Sequence, residues 1–452
     1  MLRSARPSPR ARGTLAATLA AGLAAALAPA ILLTGLSGPA SAQVLDQFID
    51  PNVYGVANEP GVTVASRGRP ELDPAGVRVG NVVVRPQLNE SVGYESNVLG
   101  TRRARGSPVV ETMASVAAAS DWSRNSVRAE ITVDDVRYPS LPRQSFTNWT
   151  ATLGGTYEIG RDVLTVQYQH LSLNQTTRDL DVPLLDRPIG FDVDTLTARY
   201  RINLNRVSIT PGVAVANYDY SNGLANGLPY LQGYRDRVVV TPSVAAAYEF
   251  SPRRSVVLVV RDAIASYTNS QAGLARRDYH DPAVLGGIDY DVTGLLRLRL
   301  LAGYEARVFS SAAYRTIQSP IVEASAIWNP TAVTTLTGTV ARRIQDTADD
   351  STAAFTQTSV ALRLDHELRR DLLLRGSGAV YFGEYDRGVG NQTLYTAGAS
   401  ATYFLNRNAR VSTAYDFQAR TSGSGAALGP TGQSFGSSYT DHRVLLQLRL
   451  AL

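Results

Sequence analysis

Apolar and polar residues alternate in one segment after another from residue 81 to the end of the chain. The clearest cases are residues 147–159, 238–250 and 295–307, and no convincing helical periodicity occurs after residue 43. Because successive side chains of a β-strand point to opposite faces, each segment is predicted to be a strand with one apolar and one polar face. The pattern restricts the chain to an all-β fold, either a soluble sandwich or a barrel.

Short turns and long polar loops alternate between these segments. Short turns rich in Asn, Gly, Pro, Asp and Ser are predicted at 123–125, 160–162, 203–205, 251–253, 293–294, 329–330, 369–371 and 406–408. Longer loops are predicted at 172–190, 219–236, 268–282 and 420–438. Eight short turns make eight hairpins, and single strands at about 82–95 and 438–452 bring the count to eighteen, with sixteen as the alternative. This layout is typical of a transmembrane antiparallel up-and-down barrel with short periplasmic turns and long extracellular loops.

An aromatic residue stands just before seven of the eight predicted turns. These residues are Trp122, Tyr157, Tyr200, Tyr248, Tyr290, Trp328 and Tyr403. A ring of amphipathic aromatics at one level suits a membrane–water boundary. A second girdle is predicted at the opposite strand ends, from Tyr94, Tyr138, Tyr168, Tyr218, Tyr267, Phe309, Tyr385 and Tyr439. Two girdles favour a barrel in lipid over a soluble sandwich rich in tyrosine.

Charged residues recur on the polar faces of the predicted strands. In a membrane barrel they should face the lumen, since an arginine at the bilayer midplane costs about 2–4 kcal/mol. The predicted pore-lining residues are Arg199, Arg201, Arg297, Arg299, Glu305, Arg307, Arg363, Asp365, Arg375 and Arg449. The acids on these faces are fewer, chiefly Glu130, Glu305, Asp365 and Glu367. We therefore expect an anion-attracting lumen, unless the arginines pair with the acids and fill it as a polar core.

The chain ends in DHRVLLQLRLAL, in which one strand face is apolar. That face carries Val444, Leu446, Leu448, Leu450 and Leu452. In lipid, strands have to close on each other so that no backbone group is left unpaired. The last strand is therefore predicted to face lipid with this stripe and to close the barrel against the strand at 82–95.

The first 42 residues have the three parts of a secretory signal peptide. Four arginines precede an Ala/Leu-rich run over 15–33, and Ala40-Ser41-Ala42 forms a small-x-small cleavage pattern. We expect the mature chain to begin at Gln43, with an uncleaved membrane anchor as the alternative. Residues 43–80 are predicted to be a periplasmic tail and residues 81–452 the barrel. Without the four arginines the net charge falls from +5 to about +1 (5 − 4), which does not argue for nucleic acid as a partner.

A further pattern lies in RGRPELDPAGVRVGNVVVRPQLNESVGYESNVLG, residues 67–100. Its marked positions are Arg69, Pro70, Glu71, Asp73, Gly76 and Gly80, followed by Tyr94, Ser96, Asn97 and Val98. This stretch resembles the opening of the outer-membrane β-barrel porin family of type 2. The resemblance implies an outer-membrane barrel, in some members thought to accompany exopolysaccharide export, and supplies no catalytic residue. Leu452 departs from the terminal Phe or Trp that is usual in such barrels.

No catalytic, metal or cofactor site is predicted. The chain has no Cys, which excludes a disulfide framework and thiolate metal sites. Its four His lack metal-ligand spacing, and no Gly-x-Ser-x-Gly occurs on a strand-to-helix elbow. The Gly-rich stretch 421–436 has no helix after it that could bind phosphate.

Three classes of function fit these observations. The first is a porin-like passive channel or (poly)saccharide export pore. The second is a non-conducting structural or docking barrel, and the third is an outer-membrane enzyme. The expected partners are outer-membrane lipid, the barrel-assembly machinery, and anionic solutes or polysaccharide.

Overall fold

The computed structural model describes residues 63–225, 227–269, 273, 275–291, 294–348, 352–385, 390–422 and 437–452. The predicted signal peptide, and the tail up to residue 62, lie outside the described residues. The strands are β1 (Val77–Val79), β2 (Val82–Glu95), β3 (Ser107–Ser120), β4 (Ser126–Arg137), β5 (Phe146–Ile159), β6 (Asp162–Gln175), β7 (Ile189–Leu204), β8 (Val207–Tyr220), β9 (Gly223–Ala225), β10 (Leu228–Tyr230), β11 (Arg237–Ser251), β12 (Arg254–Tyr267), β13 (Tyr279–Asp291), β14 (Leu296–Phe309), β15 (Ile317–Thr331), β16 (Thr334–Asp346), β17 (Ala354–Arg369), β18 (Leu372–Glu384), β19 (Gln392–Phe404), β20 (Ala409–Ser422) and β21 (Tyr439–Ala451). Two single-turn 3-10 helices lie at Pro142–Gln144 and Gly233–Arg235.

Eighteen of these strands, β2–β8 and β11–β21, form one closed antiparallel ring. The ring closes between β2 and β21, where the ladder runs from the Gln87–Ala451 pair to the Glu95–Arg443 pair. Outside the ring, the strand β1 pairs with β2, and β9 pairs with β10. The prediction of an eighteen-stranded barrel is therefore confirmed.

No helix among the described residues is both long enough and apolar enough to span a membrane.

Two of the predicted turns come later in the chain than the sequence suggested. Strand β7 continues to Leu204, so the chain reverses at Asn205 and Arg206, and Asn205 takes a positive φ of 57°. Strand β15 continues through Asn329 and Pro330 to Thr331. The predicted turn residues Asn203, Asn329 and Pro330 lie at strand ends, where Asn and Pro are compatible with extended backbone. Turn-forming composition alone therefore misplaced the two reversals.

The two faces of each strand differ in exposure. On β21 the apolar stripe points outward, with Val444, Leu446, Leu448, Leu450 and Leu452 each 43–57% exposed. The residues between them are turned inward and are largely buried. The outer surface of the ring is thus apolar, as contact with lipid requires.

The wall is interrupted on the extracellular side between β15 and β16. Their ladder ends at the Val322–Arg342 pair, whereas both strands extend further. Continuing the register would place Ile344 opposite Pro320, which has no N–H to donate. Instead, the Ile344 N–H donates to Glu305 Oε2 (3.2 Å) and its carbonyl accepts from Arg307 Nη2 (3.2 Å), both on β14. The upper part of β16 therefore leans over the lumen and takes the β16–β17 hairpin tip with it.

Candidate pore and its constrictions

The middle of the lumen contains inward-facing side chains that remain exposed. Arg363 alternates along β17 with the outward Leu362 and Leu364, yet it is exposed. Gln167 on β6 and Thr339 on β16 also face inward and are exposed. A side chain that points into a closed ring can be exposed only where the ring contains open space. This level of the barrel is therefore not filled by packed side chains.

The extracellular mouth is crossed by the loop between β6 and β7, residues 176–188. Its Leu180, Val182 and Leu185 are almost fully buried. Arg178 forms a short ion pair with Glu95 and lies 3.4 Å from Asp441, so this loop reaches the seam where β2 meets β21. The sequence predicts an external loop at 172–190, and the structure shows that this loop folds into the mouth.

The strand β20 holds the same loop through one arginine. Arg420 Nη1 donates to the carbonyls of Thr177 (3.2 Å) and Asp179 (2.9 Å). The Tyr439 hydroxyl donates to the Arg178 carbonyl (3.0 Å). These bonds satisfy loop carbonyls that would otherwise be buried without partners.

The loop meets the β16–β17 hairpin tip, which comes from nearly the opposite side of the ring. The Ala348 N–H donates to Asp181 Oδ2. The Ala348 carbonyl accepts from the hydroxyls of Tyr230 (3.2 Å) and Tyr234 (2.6 Å). We call the loop 176–188 together with the tip residues 343–348 the extracellular bridge. It spans the mouth and narrows it.

A buried charge network supports the tip side of the bridge. Arg307 lies 2.7 Å from Asp281 and 3.1 Å from Asp346, and Arg237 lies 3.0 Å from Asp346. The Tyr267 hydroxyl donates to Asp346 (3.1 Å). Buried charges are tolerated when they are paired and hydrogen-bonded in this way.

A second charge network supports the seam side. Arg443 forms a short pair with Glu111 and lies 3.9 Å from Glu95. The Tyr138 hydroxyl donates to Glu95 (2.8 Å), whose side chain has no exposed surface. Together with Arg178, these residues anchor the loop 176–188 to the barrel wall.

One titratable group of the loop has a perturbed pKa. Burial raises the pKa of the Asp179 carboxyl to about 7, although the Thr176 N–H (2.7 Å) and the neighbouring guanidiniums of Arg178 and Arg420 oppose the shift. The protonation state of Asp179 therefore changes near neutral pH.

The periplasmic mouth is lined by residues 63–76, which we call the periplasmic strap. Arg67 and Arg69 both pair with Glu367 on β17, the second at 3.0 Å. Asp73 pairs with Arg410 on β20 at 3.1 Å. The strap is part of the predicted tail 43–80, and it lies within the mouth.

The predicted pore-lining residues divide between the two halves of the lumen. Arg199 and Arg201 lie on the inner face of β7, with Arg201 exposed towards the periplasm. Arg297 is 3.9 Å from Asp289, and Arg299 beside it is buried.

The remaining pore-lining candidates are paired to different degrees. Glu305 and Arg307 belong to the extracellular network. Asp365 and Arg375 form a pair at 2.6 Å, and Arg449 donates to Gln87. Arg363, described above, is the exposed member of the set.

Sequence reasoning missed most of the acids that face the lumen. They include Glu95, Glu111, Asp134, Asp281, Asp346, Asp416 and Asp441. The Arg excess expected on the polar faces is thus absent from the extracellular half. Alternation along each strand would have placed most of these acids inward. Some of them, such as Glu95 and Asp346, are the last residues of their strands, where the alternation is hardest to read.

All seven residues of the predicted periplasmic girdle lie near the short turns. Trp122, Tyr157, Tyr248, Trp328 and Tyr403 are 42–56% exposed, and Tyr200 and Tyr290 are half-buried. The Tyr200 hydroxyl donates to Asp162 (3.0 Å), and the Arg254 guanidinium lies 4.6 Å from the centroid of the Tyr290 ring.

The predicted extracellular girdle is largely wrong. Only Tyr94 and Tyr168 of that set are exposed on the outer face, whereas Tyr138, Tyr267, Tyr385 and Tyr439 are at most 9% exposed. Tyr218 and Phe309 also fall on the inner face of their strands. The hydroxyls of Tyr138 and Tyr267 donate to buried carboxylates, which explains why these rings turn inward. The other outward aromatics in the upper parts of the strands are Trp149, Tyr304, Phe382, Tyr395 and Tyr415.

Among the residues that the structure describes, no group of three or more His, Asp or Glu side chains could hold a metal ion.

Solved structures similar to this chain are outer-membrane proteins at low identity. A BenF-like porin from Pseudomonas fluorescens Pf-5 is 10% identical, with a TM-score of 0.45, over 83% of this chain and 100% of that one. OccK2 (OpdF) from Pseudomonas aeruginosa, in complex with glucuronate, is 11% identical, with a TM-score of 0.42, over 82% and 98%. The FrpB iron transporter from Neisseria meningitidis is 9% identical, with a TM-score of 0.41, over 82% and 81%.

No curated protein matches the chain. A sequence profile does match, over residues 69–452, and it is that of the family described as "Putative beta-barrel porin 2". The matched range begins at Arg69 of the strap and covers the whole closed ring. This chain belongs to that family and is a porin-like outer-membrane β-barrel.

Proposed function

We propose that this barrel is a passive channel for small hydrophilic solutes, with a preference for anions in its periplasmic half. One observation carries the proposal: Gln167, Thr339 and Arg363 face inward and remain exposed inside a closed ring. A barrel that served only as a scaffold would gain stability by filling this space. An open, polar lumen instead lets water and solute enter.

The charges of the periplasmic half support the preference for anions. Arg199, Arg201, Arg363 and Arg449 face inward there. Arginines in a confined aqueous space raise the local concentration of anions. The extracellular half contributes little to this preference because its arginines are buried and are matched by carboxylates.

The test is current through single barrels in planar bilayers, with the reversal potential measured under a salt gradient. We expect the wild type to conduct with an anion-side reversal potential that shrinks at high salt, where the Debye length falls to about 3 Å. Arg363→Ser should reduce the anion preference. Arg370→Ser, which removes the same charge from an exposed periplasmic turn, is the matched control.

A cation preference, or an equal effect of the two substitutions, would reject the role of Arg363. Folded protein that never conducts would instead support a structural or docking barrel. Export of a polysaccharide would need passage of a long polymer, which a block of the current by added anionic oligosaccharide would reveal. We infer no catalysis, and lipid hydrolysis by the purified barrel would contradict this.

We further propose that the chain reaches the outer membrane after cleavage behind Ala42. The basic start, the apolar run and the small-x-small pattern support this route. The N-terminal sequence of the membrane-extracted protein tests it. A chain that begins at Gln43 is expected, and a chain that retains residues 15–33 would show an uncleaved anchor.

A further inference from the structure

The periplasmic strap follows the inner rim of the barrel over seven consecutive strands, from β2 back to β16. It passes Arg410 on β20, Phe404 on β19 and Leu373 on β18 before it reaches Glu367 on β17. At its far end the Val64 N–H donates to the Thr335 hydroxyl (2.8 Å) on β16. Each of these wall residues is on the inner face of its strand, so the strap occupies part of the opening itself.

Residues from the stretch 67–100, which resembles the start of the family sequence, fix the shape and direction of the strap. The Arg69 N–H donates to the Asp73 carboxylate, and Arg69 Nη2 donates to the Val64 carbonyl (2.7 Å), which makes the strap compact. Gly76 has a φ of +76°, and a Cβ there would lie 2.8 Å from a Val83 methyl. Only glycine tolerates both conditions, so Gly76 turns the strap from β1 into the mouth.

The strap also changes the charge of the opening. It brings Arg67 and Arg69 to a rim where Arg410 and Arg449 occupy paired positions on β20 and β21. Two acids, Asp73 on the strap and Glu367 on the wall, oppose these four arginines. Arginines therefore exceed acids in this group, and the strap supplies half of the arginines.

We propose that the periplasmic strap is a selectivity filter, which narrows the periplasmic opening and provides part of the positive charge that favours anions. The Glu367 pairs with Arg67 and Arg69 hold it in place, together with the pair between Asp73 and Arg410. This inference rests on the proposed channel function. It assigns to residues 63–76 a role in size and charge selection that is separate from the extracellular bridge.

Single-channel recording of two charge-matched variants tests the proposal. Arg67→Ser with Arg69→Ser breaks the pairs with Glu367 and removes two positive charges. Arg161→Ser with Arg370→Ser removes two positive charges from exposed periplasmic turns that do not touch the strap. We expect about a twofold rise in conductance and a loss of anion preference in the first variant, and little change in the second.

A disulfide lock separates size from charge. Because the chain has no Cys, Val64→Cys with Thr335→Cys would introduce a single pair at a position where the backbone and side chain already touch. In the Arg67→Ser, Arg69→Ser background, oxidation should restore the wild-type conductance but not the anion preference, and reductant should reverse the effect. Circular dichroism confirms that each variant is folded.

The outcomes distinguish this inference from the proposed function. Equal conductance and selectivity in the wild type and the Arg67→Ser, Arg69→Ser variant would overturn the filter while leaving the channel intact. Failure of the oxidised lock to lower the conductance would overturn the size role of the strap. A folded barrel that conducts in none of these forms would overturn the channel and the filter together.

Discussion

The two halves of the lumen contain similar residues in different environments. In the extracellular half, Arg307 and Arg237 are about 4–5% exposed and are paired with carboxylates under the bridge. In the periplasmic half, Arg201 and Arg363 point inward from equally regular strands and are exposed. Strand alternation decides only that an arginine faces inward. Whether it is part of a packed network or of an aqueous passage depends on what covers it.

The cover comes from segments that are remote in sequence. The loop 176–188 and the β16–β17 tip meet over the extracellular half at the contact of Asp181 with Ala348. In the periplasmic half the strap covers one arc of the rim and leaves Arg363 exposed. In the channel that we propose, the upper half mainly gives shape and stability, whereas the lower half mainly selects solutes.

The largest effect is expected from a cut that removes only the periplasmic half of the seam. Deleting Leu448–Leu452 removes the β2–β21 pairs from Glu90 to Gln87 and three outward leucines. Unpaired backbone in lipid costs several kcal/mol per group, so the truncated chain should not assemble in the membrane. Surface labelling of cells measures this, with Leu452→Phe as a control that should assemble normally. Wild-type labelling of the truncated chain would refute the prediction.

A smaller effect on the free energy of unfolding should distinguish the extracellular half of the lumen from the periplasmic half. Arg307→Ala leaves the buried Asp281 without its ion-pair partner and Asp346 with Arg237 alone, and should lower the free energy of unfolding by about 3–5 kcal/mol. Arg363→Ala should change it by only about 0.5 kcal/mol, because this side chain is exposed. Denaturant unfolding in lipid vesicles measures both. Equal losses would show that the two halves are not distinct.

A change of pH should alter the docking of the loop 176–188 in the extracellular half and leave the periplasmic half unchanged. Asp179 has a pKa of about 7 when the loop is docked and a lower one when the loop is free, so docking binds a proton. Docking is therefore fully favoured below the free value near 4 and weakens as the pH rises through about 7. We expect conductance to rise over this range, and Asp179→Asn to abolish the rise. A pH response unchanged in that variant would place the titrating group elsewhere.

The smallest effect is expected from tyrosine hydroxyls. Tyr138→Phe removes the donor to the buried Glu95 and should cost about 1–2 kcal/mol. Tyr157→Phe, in the outward periplasmic girdle, should change the stability by much less because its ring remains at the interface. Denaturant unfolding measures the free energy of unfolding of the two variants. An equal loss in both would contradict a special stabilising role for the inward tyrosine hydroxyls.

The sequence was sufficient for the ring and its closing seam. Alternation and turn spacing depend on neighbouring residues, so the β2–β21 closure and the outward stripe that ends at Leu452 could be derived locally. The inner surface could be derived only in part. The inward side of Arg307 follows from its position between apolar neighbours, but its partner Asp346 comes from a tip whose direction depends on Pro320 and a broken ladder.

The positions of the tyrosines could also be derived only in part from the sequence. At the periplasmic ends, Tyr157 and Tyr248 lie outward, where ring and hydroxyl suit the interface. At the other ends the same residue type serves as a donor to buried acids, as Tyr267 does for Asp346. Composition at a strand end cannot separate these uses, whereas the alternation with neighbouring residues can.

The interrupted ladder between β15 and β16 has a mechanical consequence. Backbone hydrogen bonds between neighbouring strands resist widening of the barrel wall. In this stretch β15 and β16 form none with each other, since residues 317–321 pair only with β14 and residues 343–346 only with β17. Lateral pressure from the bilayer will deform the ring first along this line. Among the described strands, deuterium uptake should therefore be fastest here, and the cross-section of the barrel can change shape without unzipping any other pair.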